Sequence, residues 1–366
     1  MDVVQDRITT IHQLTERSPG TGDREFAAVV PMHGRELADA SALEVVETIG
    51  SLGPELLVIP ARGPPEAIRS FERSLDQTDC PVELLWCNAS GVEHRINELR
   101  LAPGGKGMDV WLATGIAALE AEVVCVVDAD VETLTPVQIA RLLAPIDDDI
   151  AFSKAYYARV EDGRLYGRLF RLLIKPLLAS LSAHSDDPLI EFLDSFRYAL
   201  AGEFAVRSDV VREWTFPVDM GLEMGLLGEA YRDLGFGGCA QVDFGYYRHQ
   251  HRPITGSNGL EKMAPEVVGA LVDVIARYGR DGWSDAAVKD YREHAHRYIN
   301  AYQLDARLNG LSYDIEAEHE QVDRYHHAVL NPEIPTRTPA WASVEFDPTA
   351  LLSAGMSGIE HRTDMT

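Results

Sequence analysis

Apolar runs that stop at a proline or an acidic pair recur through the first 150 residues, and stretches with helical spacing fill the gaps between them. Phe26–Val30 stops at Pro31, Leu56–Ile59 stops at Pro60, and Val82–Cys87 repeats the form. Val123–Val127 is five apolar residues long and runs into Asp128-Ala-Asp130. Short continuous apolar runs suit strands buried on both faces. Between them, Ala38–Leu52 places Leu43, Val46 and Ile49 on one helical face, and Pro65–Leu75 reads as a shorter helix. Met108–Leu119 and Thr135–Leu143 read as further helices, the last with Pro136 suited to its first turn. Strands alternating with helices predict an α/β fold, a mostly parallel, doubly wound sheet.

Past Asp149 the alternation loosens. Phe152–Tyr157 and Ala240–Tyr247 read as strands, and Gly167–Leu181 as a helix interrupted at Pro176. Val267–Tyr278, Asp285–Leu308 and Ile315–Val329 carry helical periodicity. The expected organisation is an N-terminal helical segment over 1–25, the α/β domain over 26–255, a helical C-terminal region over 256–330 and an irregular, proline-bearing tail over 331–366.

Composition narrows the classes. An apolar share of 46% over 366 residues supports a full core. No run approaches the roughly 20 apolar residues needed to span a bilayer, and the mixed polar Met1–Pro19 is unlike a secretory signal. These features read as cytoplasmic. Asp and Glu outnumber Lys and Arg 58 to 33, a net charge of −25, which opposes nucleic-acid binding through phosphate neutralisation. The four cysteines have no Cys-x-x-Cys spacing and read as apolar thiols.

Against that acidity a few clusters carry chemistry. Asp128 and Asp130, at the carboxyl end of the strand, share one side with Ala129 between them, where two hard carboxylates suit a divalent cation that also holds a diphosphate; a solvated strand end is the plainer reading. Pro103-Gly-Gly-Lys-Gly107 precedes a helix, so its backbone N–H groups and Lys106 could receive a diphosphate, or it could be a simple turn. It lacks P-loop spacing, which excludes an NTPase of that kind. Arg164, Arg168, Arg171 and Lys175 fall four, three and four apart. A helix would align them as a solvated face, a docking surface for a phosphorylated acceptor, or a lipid-facing surface. Glu203 and Glu223 each sit among small residues, and Glu223 stands where a helix begins, a position the helix dipole alone favours. His249 and His251 share a strand face and are open to a metal role.

In this order the motifs resemble the glucosyl-3-phosphoglycerate synthase family, retaining transferases of the GT-A fold. The matching stretches are Val29-Val-Pro31, Pro103–Gly107, Val126–Asp130, Ser153–Arg159, Gly167-Arg168 and Pro176–Leu181. They continue through Leu200–Ala205, Gly221–Leu227 and Ala240–Gly245 to His249 and Arg252-Pro253. The resemblance implies a Rossmann-like GT-A domain with a helical C-terminal extension, and transfer of glucose (or mannose) from a nucleoside-diphosphate sugar to 3-phosphoglycerate or a similar small anion. It implies Mg²⁺ or Mn²⁺ bound by Asp130 and His249. Donor contacts would come from Pro31, Lys106, Asp128, Gly202 and Glu203, and acceptor contacts from Arg168 and His251. Glu223 would lie beside the acceptor hydroxyl as a catalytic residue with Asp130. A homodimer is the expected assembly, without nucleic acid or membrane insertion.

Two stretches depart from the family pattern, Pro31-Met-His-Gly-Arg-Glu36 and Pro60-Ala-Arg-Gly-Pro64. Phe170 stands where the family has threonine, and His251 where it has asparagine. Alternatives in the same class are a mannosylglycerate synthase-like enzyme and a polyprenyl-phosphate hexosyltransferase. From a different class, the chain could be a non-catalytic nucleotide-sugar binding protein.

Overall fold

The computed structural model describes residues 5–15, 17–21, 24–75, 78–101, 104–248 and 259–360, with side chains through 355. Strands along the chain are β1 (Thr9–Ile11), β2 (Phe26–Val29), β3 (Met32–His33), β4 (Leu56–Arg62), β5 (Val82–Trp86), β6 (Val123–Val126), β7 (Phe152–Glu161), β8 (Arg164–Leu165), β9 (Phe204–Arg207) and β10 (Cys239–Tyr247). The helices are α1 (Ala40–Gly50), α2 (Pro65–Ser74), α3 (Ser90–Glu98), α4 (Lys106–Glu120), α5 (Pro136–Leu143), α6 (Lys175–Ser182) and α7 (Pro188–Ser195). They continue with α8 (Ser208–Val211), α9 (Leu222–Asp233), α10 (Leu260–Tyr278), α11 (Asp285–Leu308), α12 (Ile315–Leu330) and α13 (Ala350–Glu360). The chain forms two compact units. One comprises Leu14–Lys154, Gly202–Asp219 and Thr336–Thr366; the other comprises Met1–Gln13, Ala155–Ala201 and Met220–Pro335.

The first unit holds the predicted parallel sheet. β6 pairs parallel with β2, β2 with β4, and β4 with β5, while the short β3 adds beside the end of β4. β2 and β6 are buried along their whole lengths, as strands covered on both faces must be. The Cys125 thiol, inside β6, is pushed up to about 12 by burial and packs as a neutral group. α5 starts where the sequence placed it, because Thr135 and Gln138 form a reciprocal capping box ahead of Pro136. β9, which periodicity did not reveal, runs antiparallel to β6.

α4 is buried almost throughout, from Gly107 to Ala118, and the C-terminal segment helps to cover it. Trp341 stacks on Trp111 at 4.1 Å between centroids and donates its indole N–H to the Trp111 carbonyl at 2.7 Å. Gly115 allows this approach, since a Cβ there would strike the Trp341 indole. Among the described residues of the tail, where irregularity was expected, the stretch before Trp341 is irregular, but a turn and a helix follow it. Trp341–Ser343 makes a 3₁₀ turn, and α13 packs on α3 and β5 with Gly91 lying against the Ala354 carbonyl. Its prolines space these pieces and leave the apolar Ala350–Gly355 free to be helical.

The second unit corrects two more expectations. No helix occurs among the described residues of 1–25. Instead Thr9–Ile11 pairs parallel with Ala240–Val242 of β10, as β-branched residues prefer. Pro176 does not interrupt its helix either. Leu169–Ile174 forms a wide π-helical turn that continues into α6, placing Pro176 in that helix's first turn. Proline cannot donate to the carbonyl four residues back, and the buried Tyr291 hydroxyl donates to that Leu172 oxygen at 2.7 Å instead. α10, α11 and α12 match the predicted C-terminal helices, α11 and α12 being capped by Ser284 and Asp314.

Trp341→Ala is expected to destabilise the protein by about 3–5 kcal/mol through the cavity left on α4. Chemical denaturation measures this, and a loss below about 1 kcal/mol would show that the C-terminal segment does not support α4.

Candidate active site

The strand hydrogen bonding of β6 ends at Val126, with only Val127 N still donating to the Val29 carbonyl of the neighbouring strand at 3.0 Å. Asp128 and Asp130 thus lie in the turn beyond the strand, so the alternation argument for a shared strand face does not apply to them. They remain where a parallel sheet opens a crevice, at a strand's carboxyl end.

Each aspartate meets a cation. Lys106 Nζ lies 2.7 Å from Asp128 Oδ1, both side chains being mostly buried. Gly202 lies so close to the Asp128 carboxylate that a Cβ would overlap it. Lys106, Asp128 and Gly202, widely separated in sequence, therefore form one cluster. Asp130 is 4% exposed, and Arg35 Nη2 lies 3.5 Å from its Oδ2, long for a direct N–H···O bond. Arg35 is tied more closely to the buried Glu36, through Nε at 2.7 Å, and Glu36 also accepts from His33 N–H. The divergent stretch after Pro31 thus supplies a half-exposed guanidinium to Asp130.

The first turn of α4 has a different use from the one expected. The N–H groups of Gly107 and Met108 donate to the carbonyls of Asp219 and Val218 at 3.2 and 3.0 Å. A Cβ on Gly107 would overlap the Pro217 carbonyl. Those two amides are thus satisfied by the chain itself, and Lys106 contributes through its side chain.

The second divergent stretch is a rigid corner. β4 runs on through Arg62, whose guanidinium makes a bidentate pair with the buried Asp109 of α4, at 3.0 and 2.6 Å. Gly63 N–H donates to Asn88 Oδ1, and Trp86 Nε1 donates to the Gly63 carbonyl. Arg35, Arg62 and Asp109 were missed in the sequence because their partners lie far along the chain and no motif marks them.

Among the remaining candidates, Pro31 joins β2 to β3, and Glu203 is fully buried just ahead of β9. Arg168 and Glu223 belong to the second unit. Glu223 sits in the first turn of α9 and is 6% exposed. The four cations from Arg164 to Lys175 do not share one helical face, because Arg164 is on β8 and Gly167, at φ +75°, turns the chain before the helix. Arg168 and Arg171 both pair with the buried Glu318, and Lys175 pairs with Asp194. Burial disfavours the Arg171 charge, but Glu318 outweighs it and raises the pKa. With these cations engaged inside the protein, a basic lipid-facing surface loses its basis. His249 and His251 lie outside the described residues.

The donor set fits a hard divalent cation, with a buried carboxylate at Asp130 and a second at Asp128. No group of three or more His, Cys, Asp or Glu among the described residues could hold a metal alone. Ligands from outside that set, such as substrate phosphate oxygens, would have to complete the shell, as is usual for Mg²⁺.

Comparison with known proteins gives the chain's relatives. No protein-family model matches the chain. It is 30% identical to glucosyl-3-phosphoglycerate synthase of Methanococcoides burtonii, the match covering 90% of this chain and 88% of the relative. The Persephonella marina protein of the same name is also 30% identical, over 74% of this chain and 72% of that one. Among solved structures, Mycobacterium tuberculosis glucosyl-3-phosphoglycerate synthase with phosphoglyceric acid aligns at a TM-score of 0.57 and 23% identity, covering 74% of this chain and 88% of that one. The same enzyme with Mn²⁺, UDP-glucose and phosphoglyceric acid aligns at 0.56 and 23%, with the same coverage. These structures carry the fold.

The fold is that of the GT-A class, and kinship with the named relatives makes the chain a glycosyltransferase. The chain belongs to the glucosyl-3-phosphoglycerate synthase family.

Gly202→Ala is expected to displace the Asp128 carboxylate and lower kcat/KM by about 10²-fold while the protein stays folded. Steady-state kinetics beside a circular dichroism melt checks this, and wild-type kinetics would contradict the close packing.

Proposed function

We propose that this protein transfers glucose from a nucleoside-diphosphate sugar, UDP-glucose foremost, to 3-phosphoglycerate, with retention of anomeric configuration and with Mg²⁺ or Mn²⁺ as cofactor. One observation carries the reading: the Lys106–Asp128 pair seated on Gly202, two residues before the buried Asp130, at the carboxyl end of a parallel strand. Family membership supports it, as do the ligands named for the M. tuberculosis enzyme.

In this reading Lys106 faces the donor diphosphate and Asp128 the nucleotide ribose, while Pro31 and the Gly202-Glu203 loop contact the donor. Asp130 and His249 would hold the divalent cation, which when bound neutralises charge on the leaving diphosphate. Arg168 takes the acceptor phosphate, with His251 beside the acceptor, and Glu223 lies beside the acceptor hydroxyl, whose O–H is left to point at the departing diphosphate. The hydroxyl oxygen bonds to the anomeric carbon as the bond to the diphosphate breaks, and the hydroxyl proton leaves on the departing diphosphate. Attack from the face the diphosphate leaves preserves configuration. Positioning supplies much of the rate.

A cytoplasmic setting and a homodimer complete the reading. No helix among the described residues is long and apolar enough to cross a membrane, and light scattering at twice the 40.4 kDa chain mass would support the dimer.

Incubation with Mn²⁺, a panel of UDP- and GDP-hexoses, and 3-phosphoglycerate or glycerate tests the function. The expected result is UDP release with an α-glucosyl product from UDP-glucose and 3-phosphoglycerate, read by proton NMR. No product from any pair would favour a non-catalytic sugar-nucleotide binder, and preference for glycerate would move the acceptor assignment.

A further inference from the structure

Arg168, just before the π-helical turn, and Arg171, within it, meet one carboxylate, and they meet it differently. Glu318 of α12 is 2% exposed and accepts from Arg168 Nε at 3.0 Å, Arg171 Nη1 and Nη2 at 3.0 and 3.2 Å, and the Tyr313 hydroxyl at 3.0 Å. Arg171 is buried and also donates to the carbonyls of Tyr166 and Leu165, and its guanidinium lies 4.7 Å from the centre of the Tyr302 ring. Its donors are turned inward. Arg168 is less buried and, among the described residues, hydrogen-bonds through Nε alone. That leaves its paired terminal nitrogens, the edge with which a guanidinium grips a phosphate or carboxylate.

The charges add up in the same sense. Two arginines against one glutamate leave a net charge of +1 (2 − 1), in a chain whose overall charge is −25. Without Arg171, Glu318 would cancel the charge of Arg168. With it, Glu318 can orient Arg168 while the cluster stays cationic. An arginine side chain has several rotatable bonds, and holding Nε fixes the plane of the guanidinium before a ligand arrives.

We propose that Glu318 is a positioning residue for the transfer reaction: it fixes Arg168 through Nε so that the terminal nitrogens receive the acceptor phosphate, while Arg171 neutralises it. This rests on the assignment of Arg168 to the acceptor made above. Glu318 does not touch substrate, and its effect is confined to acceptor affinity. Tyr313 supports it from the segment just before α12.

The test is steady-state kinetics of the full chain with UDP-glucose, Mn²⁺ and 3-phosphoglycerate for Glu318→Gln, Arg168→Ala and the double variant, with melting temperatures. Glu318→Gln is expected to raise the acceptor KM about tenfold, to leave the donor KM within about twofold, and to add nothing to the KM of Arg168→Ala. Should Glu318→Gln fail to fold around the buried Arg171, Glu318→Asp keeps the charge and withdraws the carboxylate by one methylene; it is expected to show the same selective rise. Equal rises in both KM values, an unchanged acceptor KM, or additivity with Arg168→Ala would overturn the proposal. If Arg168→Ala itself leaves the acceptor KM unchanged, the acceptor assignment falls and this inference with it. An effect of Arg168→Ala without one from Glu318 overturns the inference alone.

Discussion

A carboxylate withdrawn from water needs a counter-charge, and the end of β6 is arranged around that need. Asp128 has Lys106 at 2.7 Å and Asp130 has Arg35 at 3.5 Å, both just past the strand's last ladder residue. The neighbouring corner repeats the arrangement with Arg62 and Asp109, and the second unit does so with Glu318 and its two arginines. In a protein with 58 acids and 33 bases, cations are the scarcer group. Many of those at informative positions sit on buried or half-buried acids, while much of the acidic surplus faces solvent. Both aspartates at the strand end are therefore close to positive charge before any ligand binds, and a diphosphate arriving with a metal ion adds little net charge there.

Support for that strand end comes from far along the chain. The start of α4 is fixed by the carbonyls of Val218 and Asp219, and Val218 N–H in turn donates to the Thr336 carbonyl at 3.0 Å. Arg337 holds Thr215 through its hydroxyl at 2.9 Å and its carbonyl at 2.6 Å, and Trp341 then stacks on Trp111. The C-terminal segment thus braces the helix that carries Lys106, at its first turn and again at its middle. Gly107 and Gly115 are small for the same reason: backbone or an indole ring passes where a side chain would be.

Much of this was legible in the amino-acid order. Continuous apolar runs bounded by Pro31, Pro60 and Asp128 marked parallel strands, because strands covered on both faces need no alternation. Pro136 marked a helix start through local chemistry alone, and the Thr135–Gln138 capping box found in the structure explains why the helix begins there. Lys106, Asp128 and Gly202 stood out as parts of an ordered motif series, and the structure brings these three together. What failed was long-range. Arg171 and Glu318 are 147 residues apart, and Glu318 sits in an ordinary acidic helix with no sign of its partners. The Leu172 carbonyl, four residues before Pro176, accepts from Tyr291, 119 residues later, so the apparent helix break could not be recognised as harmless. β1 is three residues long, too short for any period to show. Gly107 was assigned to a ligand, although the Pro217 carbonyl claims its space.

The strand end at Asp128 and Asp130, in this view, binds the donor diphosphate together with a divalent cation. Calorimetric titration of UDP into the protein, with and without Mn²⁺, compared with Asp130→Ala, tests it most directly. Mn²⁺ is expected to strengthen UDP binding to the wild type by at least tenfold, ~1.4 kcal/mol, and to leave Asp130→Ala unaffected. Equal metal dependence in both proteins, or none in the wild type, would contradict it.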